Sequence, residues 1–214
     1  MSESPIGPAS IALGNEGRLL KHRVRWTRRL IWGLVPFAAV CAPLATTPWL
    51  TLPLRMVGLL CLVACMVGRA WCVLYIGERK ARELVRVGPY SVVRNPLYVA
   101  SFIGTLGAAM QSGTLTLPVL AALVFAAYYR ITIAREEEYL RERHGAAYDA
   151  YVREVPRWWP KLSGWHDVPR VGTSPALVLR YLGEGGLFFV SVIFFEVVRA
   201  LQDTGIVPVL LQLP

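Results

Sequence analysis

A chain of 214 residues that is 55% hydrophobic, with a positive mean hydropathy and 18 glycines, carries more apolar surface than a soluble domain of this size needs, so lipid is its expected solvent. The net charge of +9 does not argue for nucleic acid, because most of the 23 Lys and Arg fall between apolar runs, where basic residues set topology. The four cysteines, Cys41, Cys61, Cys65 and Cys72, lie in or beside those runs and point to packing rather than to disulfides or a metal centre.

Residues 1 to 17 read as a flexible tail, and six basic residues from Arg18 to Arg29 lead into the apolar run Leu30 to Ala45. That run resembles a signal peptide, but Pro43 spoils the cleavage site after Ala45, so an uncleaved first span is expected. A turn at Thr46 to Pro48 opens a second span, Trp49 to Ile76, with Arg55 and Arg69 near opposite membrane faces. The segment from Gly77 to Asn95 is a polar loop. Leu97 to Met110 is a short third span bearing Gly104 and Gly107, and Gln111 to Thr114 turns the chain around. The fourth, Leu115 to Ala134, continues as one helix through Arg143, roughly 29 residues and about 44 Å, so its end projects from the bilayer.

A short helix is predicted over Ala146 to Glu154, followed by Val155-Pro156 and the aromatic Trp158-Trp159-Pro160. Residues 161 to 180 read as a polar connector with Trp165 in an interfacial belt, and Gly186 to Leu201 as the last span. Within it, Glu196 and Arg199 are spaced to pair on one helix face. The fold class is thus all-α, a polytopic helical membrane protein of about five spans. Nearly all basic residues lie in segments 18 to 29, 69 to 94 and 135 to 180, which places the N-terminus and both polar clusters on the cytoplasmic side of an inner or other cellular membrane.

The two polar clusters bracket the hairpin of the third and fourth spans. Asn95-Pro96 suits a helix start, Asn capping the free amides and Pro preset at the first helical position. With Arg94 just outside, this corner can take a carboxylate or phosphate, although a capped helix with Arg94 among lipid head groups accounts for the same residues. Tyr90 and Tyr98 flank the corner as aromatic partners for a cation or as interfacial anchors. Glu136, Glu137 and Glu138 occupy three helix faces, and spacing by itself reads them as a solvated surface. Arg130 lies two turns before Glu137 on the same face, inside an apolar run.

The ordered set Gly88-Pro89-Tyr90, Arg94-Asn95-Pro96-Leu97-Tyr98, Glu136-Glu137-Glu138-Tyr139-Leu140, His144-Gly145-Ala146-Ala147-Tyr148-Asp149-Ala150-Tyr151 and Val155-Pro156-Arg157-Trp158-Trp159-Pro160 resembles the isoprenylcysteine carboxyl methyltransferase family, which includes phospholipid methyltransferase relatives. The likeness covers roughly residues 65 to 162. Asn95 stands where eukaryotic members carry a histidine, and Arg130 lies six before Glu136 where the prenylcysteine enzymes have an arginine four before.

The resemblance implies S-adenosylmethionine as cofactor and a cytoplasmic-side pocket for it. It assigns Tyr90, Arg94, Asn95, Pro96, Leu97, Tyr98, Glu136 and Glu137 to that cofactor, and Arg130 with Glu137 to catalysis. The chain as a whole is expected to divide into a flexible basic tail (1–29), a methyltransferase domain (30–162) and a connector with a C-terminal span (163–214). The implied acceptor is a lipophilic or lipidated molecule, foremost the carboxylate of a prenylated cysteine, with a phospholipid or a small thiol also open. A nicotinamide-dependent (NADPH) membrane reductase and a non-catalytic membrane scaffold are the alternatives from other classes.

Overall fold

The computed structural model describes residues 36–43, 48–77 and 83–213. Helix α1 spans Pro48–Ile76, α2 is the single turn Pro89–Val92, α3 spans Pro96–Met110 and α4 spans Thr116–His144. Helix α5 covers Ala146–Glu154, α6 Pro175–Gly186 and α7 Val190–Asp203, the last two joined by a 3-10 turn at Leu187–Phe189 into one helical run. Three of these units, Trp49–Ile76, Thr116–His144 and Pro175–Asp203, are long and apolar enough to cross a membrane, and Pro96–Met110 is a shorter apolar helix. The chain is therefore a helical membrane protein, as its composition requires.

Most of the predicted first span lies outside the described residues. Its described remainder is helical over residues 36–39, and Cys41–Pro43 (β1) is extended, so the span does not continue as helix to Ala45. That strand pairs in parallel with Leu211–Leu213 (β2), Cys41 opposite Leu211 and Pro43 opposite Leu213. The apolar C-terminal tail thus closes against the chain ahead of α1.

The last helical run also begins earlier than Gly186, at Pro175, preceded by Ser174. Proline at the first helical position gives up no needed hydrogen bond, and Ala176 to Leu182 carry the helix on. Gly183, Gly185 and Gly186 suggest a break, but close packing overrides that propensity: a Cβ on Gly185 would lie 3.1 Å from the Met66 Cα of α1.

Helices α1 and α3 pack along a seam of small residues. Gly107 faces Gly58, and Gly104 lies against Cys65, so backbone meets backbone where a side chain would hold the helices apart. A methyl group on Gly107 would lie 2.6 Å from the Gly58 carbonyl oxygen and 2.8 Å from Cys61 Cβ. Gly107→Ala is accordingly expected to destabilise the protein by about 1–3 kcal/mol, the usual cost of overpacking. Gly183→Ala, with open space around its Cβ, should be neutral or slightly stabilising. Thermal or denaturant unfolding of both variants in one detergent checks the contrast.

The turn between α3 and α4 is buried and internally bonded. The Ser112 hydroxyl donates to the Ala109 carbonyl at 2.7 Å and lies 3.0 Å from Thr114 Oγ1, while Gly113 takes a positive φ of 78°. At about 1.5 Å per residue, the 29 residues of α4 extend about 44 Å, well past the end of α3. The hairpin therefore brings the C-terminal half of α4 alongside the segment that leads into α3.

Candidate functional site

The site is built where that half of α4 meets residues 88–98. Glu137 is 5% exposed and its carboxylate is surrounded by donors. Arg157 grips it with two prongs, Nε at 3.1 Å from each carboxylate oxygen and Nη2 on Oε2. Arg94 Nη1 lies 3.5 Å from Oε1, and the Asn95 amide donates to the same oxygen at 3.2 Å. Two guanidiniums thus match its charge, and the three donors use its lone pairs.

Beside it, the Tyr98 hydroxyl donates to Glu136 Oε2 at 2.6 Å, and the Tyr98 ring packs on Tyr129 with centroids 5.1 Å apart. The clusters at 94–98 and 136–137, some forty residues apart in sequence, are thus in direct contact.

Residues 155–167, an ending motif and a connector in the sequence, form a strap. The Arg94 amide donates to the Pro156 carbonyl at 2.9 Å, the Lys161 amide to Val92 at 2.9 Å, and the Gly88 amide to His166 at 2.9 Å. Trp165 stacks on Trp71 at 5.5 Å, so it anchors the strap to α1. The Tyr151 hydroxyl donates to the Tyr90 carbonyl at 2.7 Å, tying α5 to the same segment. Burial pushes the hydroxyls of Tyr90, Tyr148 and Tyr151 above the ordinary tyrosine range, so these phenols are hydrogen-bonding groups, not anions, at neutral pH.

Each predicted site residue has a definite place. Arg94, Asn95 and Glu137 meet in one cluster, and Tyr98 and Glu136 form the pair beside it. The Asn95 side chain makes no capping bond to α3; its amide nitrogen donates to Glu137. Pro96 is buried at the first turn of α3, and Leu97 packs against the apolar cluster formed by Cys72, Tyr75 and Tyr90. The Tyr90 ring points into that apolar cluster, and its carbonyl is the group turned toward α5.

Glu137 is not part of a solvated face: the strap and Asn95 cover it, whereas Glu138 on the neighbouring face is exposed. Arg130 shares the helical register of Glu137 but remains exposed and makes none of the cluster's ion pairs. The strap reaches the helix at Glu137 and not two turns earlier, which is why one face carries both a buried and an exposed residue.

Arg157 is a site residue that the motifs do not assign. Its signal was present as the charged position inside Val155-Pro156-Arg157, where Pro156 fixes the backbone and its carbonyl binds Arg94. Arg94 itself is 12% exposed, and its Nε is buried with no partner among the described residues. The arrangement thus offers two arginines, two glutamates, a buried donor still free and a tyrosine hydroxyl, a set complementary to a zwitterion.

The phospholipid methyltransferase family model matches residues 49–147 of the chain. The nickel-cobalt-cadmium resistance protein NccN of Alcaligenes xylosoxydans xylosoxydans is 32% identical over 201 residues, 92% of either chain. The cobalt-zinc-cadmium resistance protein CzcN of Cupriavidus metallidurans is 32% identical over 76% of this chain and 74% of that one. The protein-S-isoprenylcysteine O-methyltransferase of Schizosaccharomyces pombe is 36% identical over 83 residues, 39% of this chain and 35% of the yeast protein. No solved structure matches the chain.

Proposed function

Because the chain belongs to the isoprenylcysteine methyltransferase-like family of membrane methyltransferases, we propose that it transfers a methyl group from S-adenosylmethionine to an acceptor held in the membrane. The observation that carries this reading is the buried Glu137 carboxylate shared by Arg94 and Arg157, next to the Tyr98–Glu136 pair. S-adenosylmethionine supplies an activated methyl on a sulfonium, together with a carboxylate and an ammonium by which it can be held.

Arg94, steadied by Glu137, presents its guanidinium to that carboxylate. Glu136, with the Tyr98 hydroxyl, takes the ammonium. Glu137 acts as a positioning residue for the two arginines. Bound there, the cofactor would supply its methyl group to an oxygen, nitrogen or sulfur of the acceptor, the electron pair of the carbon–sulfur bond remaining on the departing sulfur. A carboxylate acceptor is ionised at neutral pH and needs no base, so the protein's task is orientation and the exclusion of water.

Isothermal titration of the detergent-purified protein with S-adenosylhomocysteine tests the reading. Binding is expected, and Arg94→Ala should weaken it by about 1.5–3 kcal/mol, the worth of a hydrogen bond to a charged group. Arg86→Ala and Arg141→Ala should bind nearly normally, because Arg86 is engaged by the Ala147 carbonyl and Arg141 by Asp149. Equal losses in all three would assign the effect to overall charge. NADPH binding in place of S-adenosylhomocysteine would instead support a membrane reductase, and binding of neither would support a scaffold.

The names of the two long relatives suggest a physiological setting. On this reading, a part in metal resistance runs through methyl transfer at the membrane. Expression of the wild type in a metal-sensitive host should raise cobalt or cadmium tolerance, and Glu136→Gln should not.

A further inference from the structure

A second polar group lies one helical turn from the first. Arg69 of α1 donates through Nη1 to the Ser101 hydroxyl oxygen at 2.7 Å and pairs through Nη2 with Glu184 Oε2 at 3.0 Å. Its guanidinium lies 5.7 Å from the centroid of the Tyr181 ring. Arg180 pairs with the other oxygen of the same carboxylate at 3.2 Å. Two arginines against one glutamate leave a surplus of one positive charge. Arg69 Nε is buried and has no partner among the described residues, so a donor of the group remains unused.

The group opens outward. The Arg69 side chain is 13% exposed, Glu184 37% and Arg180 73%, a gradient from the bundle interior to the lipid-facing side of α6. Its depth follows from the tryptophans of α1. Trp49 and Trp71 are both exposed and stand 22 positions apart, about 33 Å along a helix, close to the ~30 Å of a hydrocarbon core. Exposed tryptophans at that separation mark the two interfaces. Arg69, two residues before Trp71, therefore sits at the level of lipid head groups, on the face that carries the strap.

The neighbouring Gly185, packed on Met66, brings α6 close enough for Glu184 to reach Arg69. Finally, α3 links the two polar groups directly: Tyr98 bonds Glu136, and Ser101, one turn further at about 4.5 Å of axial rise, bonds Arg69.

We infer that Arg69, with Arg180, binds the oxyanion of a lipid-anchored acceptor's head group, a carboxylate or a phosphodiester, while its hydrocarbon chain stays in the bilayer; Ser101, whose own proton goes to the Leu97 carbonyl, orients the Arg69 guanidinium. Arginine suits this role because its planar fork matches both oxyanions. Glu184 holds the two guanidiniums in place and competes with the ligand for them. Calling the ligand a methyl acceptor rests on the methyl-transfer reading above; the oxyanion site itself does not.

The test uses the full-length protein in a nonionic detergent. Binding of N-acetyl-S-farnesylcysteine, a carboxylate, is compared with that of its neutral methyl ester, and short-chain phosphatidylethanolamine with the diacylglycerol of the same chains. At least one oxyanion probe is expected to bind the wild type tenfold or more tightly than its neutral counterpart, and which one does so identifies the source of the head group. Arg69→Gln should erase that preference, Arg69→Lys should restore part of it, and Glu184→Gln should strengthen oxyanion binding several-fold. S-adenosylhomocysteine affinity should stay within twofold in all three variants.

A wild type without preference, or an Arg69→Gln protein that keeps it, overturns the inference. So does equal loss in Arg69→Gln and Glu184→Gln, the signature of a strut between helices. If the wild type prefers the oxyanion probe yet binds no S-adenosylhomocysteine, the site stands and the methyl-transfer reading falls.

Discussion

Glu137→Ala is expected to lower stability by about 3 kcal/mol and S-adenosylhomocysteine affinity by at least tenfold. The carboxylate is buried and shared by two guanidiniums, and deleting one partner of a buried ion pair costs about 3–5 kcal/mol because the remaining charge is left uncompensated. The lower end of that range applies. The Arg157 side chain is 39% exposed and can turn to water, whereas Arg94, 12% exposed beneath the strap, cannot. Glu137→Gln keeps the shape and one acceptor oxygen, so it should be the milder change in stability.

Unfolding midpoints in detergent and titration of the same preparations separate the possibilities. A Glu137→Ala protein that melts and binds like the wild type would show an idle carboxylate. One that melts normally but loses S-adenosylhomocysteine would show direct contact with the ligand in place of positioning.

Gly88→Ala is the second large effect, expected at about 3 kcal/mol or more. Gly88 has φ 59° and ψ −133°, a backbone region that side chains with a Cβ avoid at a cost of about 1–3 kcal/mol. A Cβ there would also run into the ring of Tyr75, a buried side chain whose hydroxyl donates to Asp167 at 2.8 Å and so cannot swing away freely. The clash adds roughly another 1–3 kcal/mol.

The consequence reaches the site, because the Gly88 amide holds the strap at His166 and the strap carries Arg157. Gly88→Ala should therefore lose ligand affinity although no site side chain is changed. Gly145→Ala provides the control: its φ of 53° is equally restrictive, but nothing lies within 4 Å of its Cβ, so it should show the backbone cost without the clash. Equal unfolding shifts in the two variants would remove the Tyr75 contact from the account.

Much of the architecture is written in the local sequence. The long apolar runs of α1 and α4 dictate helices in lipid, since a membrane interior offers the backbone no other hydrogen-bond partners. Pro96 after Asn95, and Gly113 in the turn at 111–114, fix where the hairpin starts and reverses. The ordered motifs from Gly88 to Pro160 contain most of the charged site residues. Glu196 and Arg199, spaced for one helix face, do pair at 2.7 Å. What they pair with beyond each other, Arg55 on α1 and the Gln111 carbonyl of the turn, no spacing rule could supply.

Burial of Glu137 was the decisive feature that only the tertiary structure provided. Three consecutive glutamates look alike in sequence, and which one is covered depends on a strap returning from residues 155–167 and on Asn95 across the hairpin. The same long-range event recruits Arg157, sends the Tyr90 ring into the core and leaves Arg130 outside, although Arg130 and Glu137 share a helical register. Local sequence sets helices and turns because those interactions span three or four residues. The charge partners of a carboxylate are set by which distant segments fold back on it, and in this chain the partner lies twenty residues beyond Glu137, past a turn of opposite hand at Gly145.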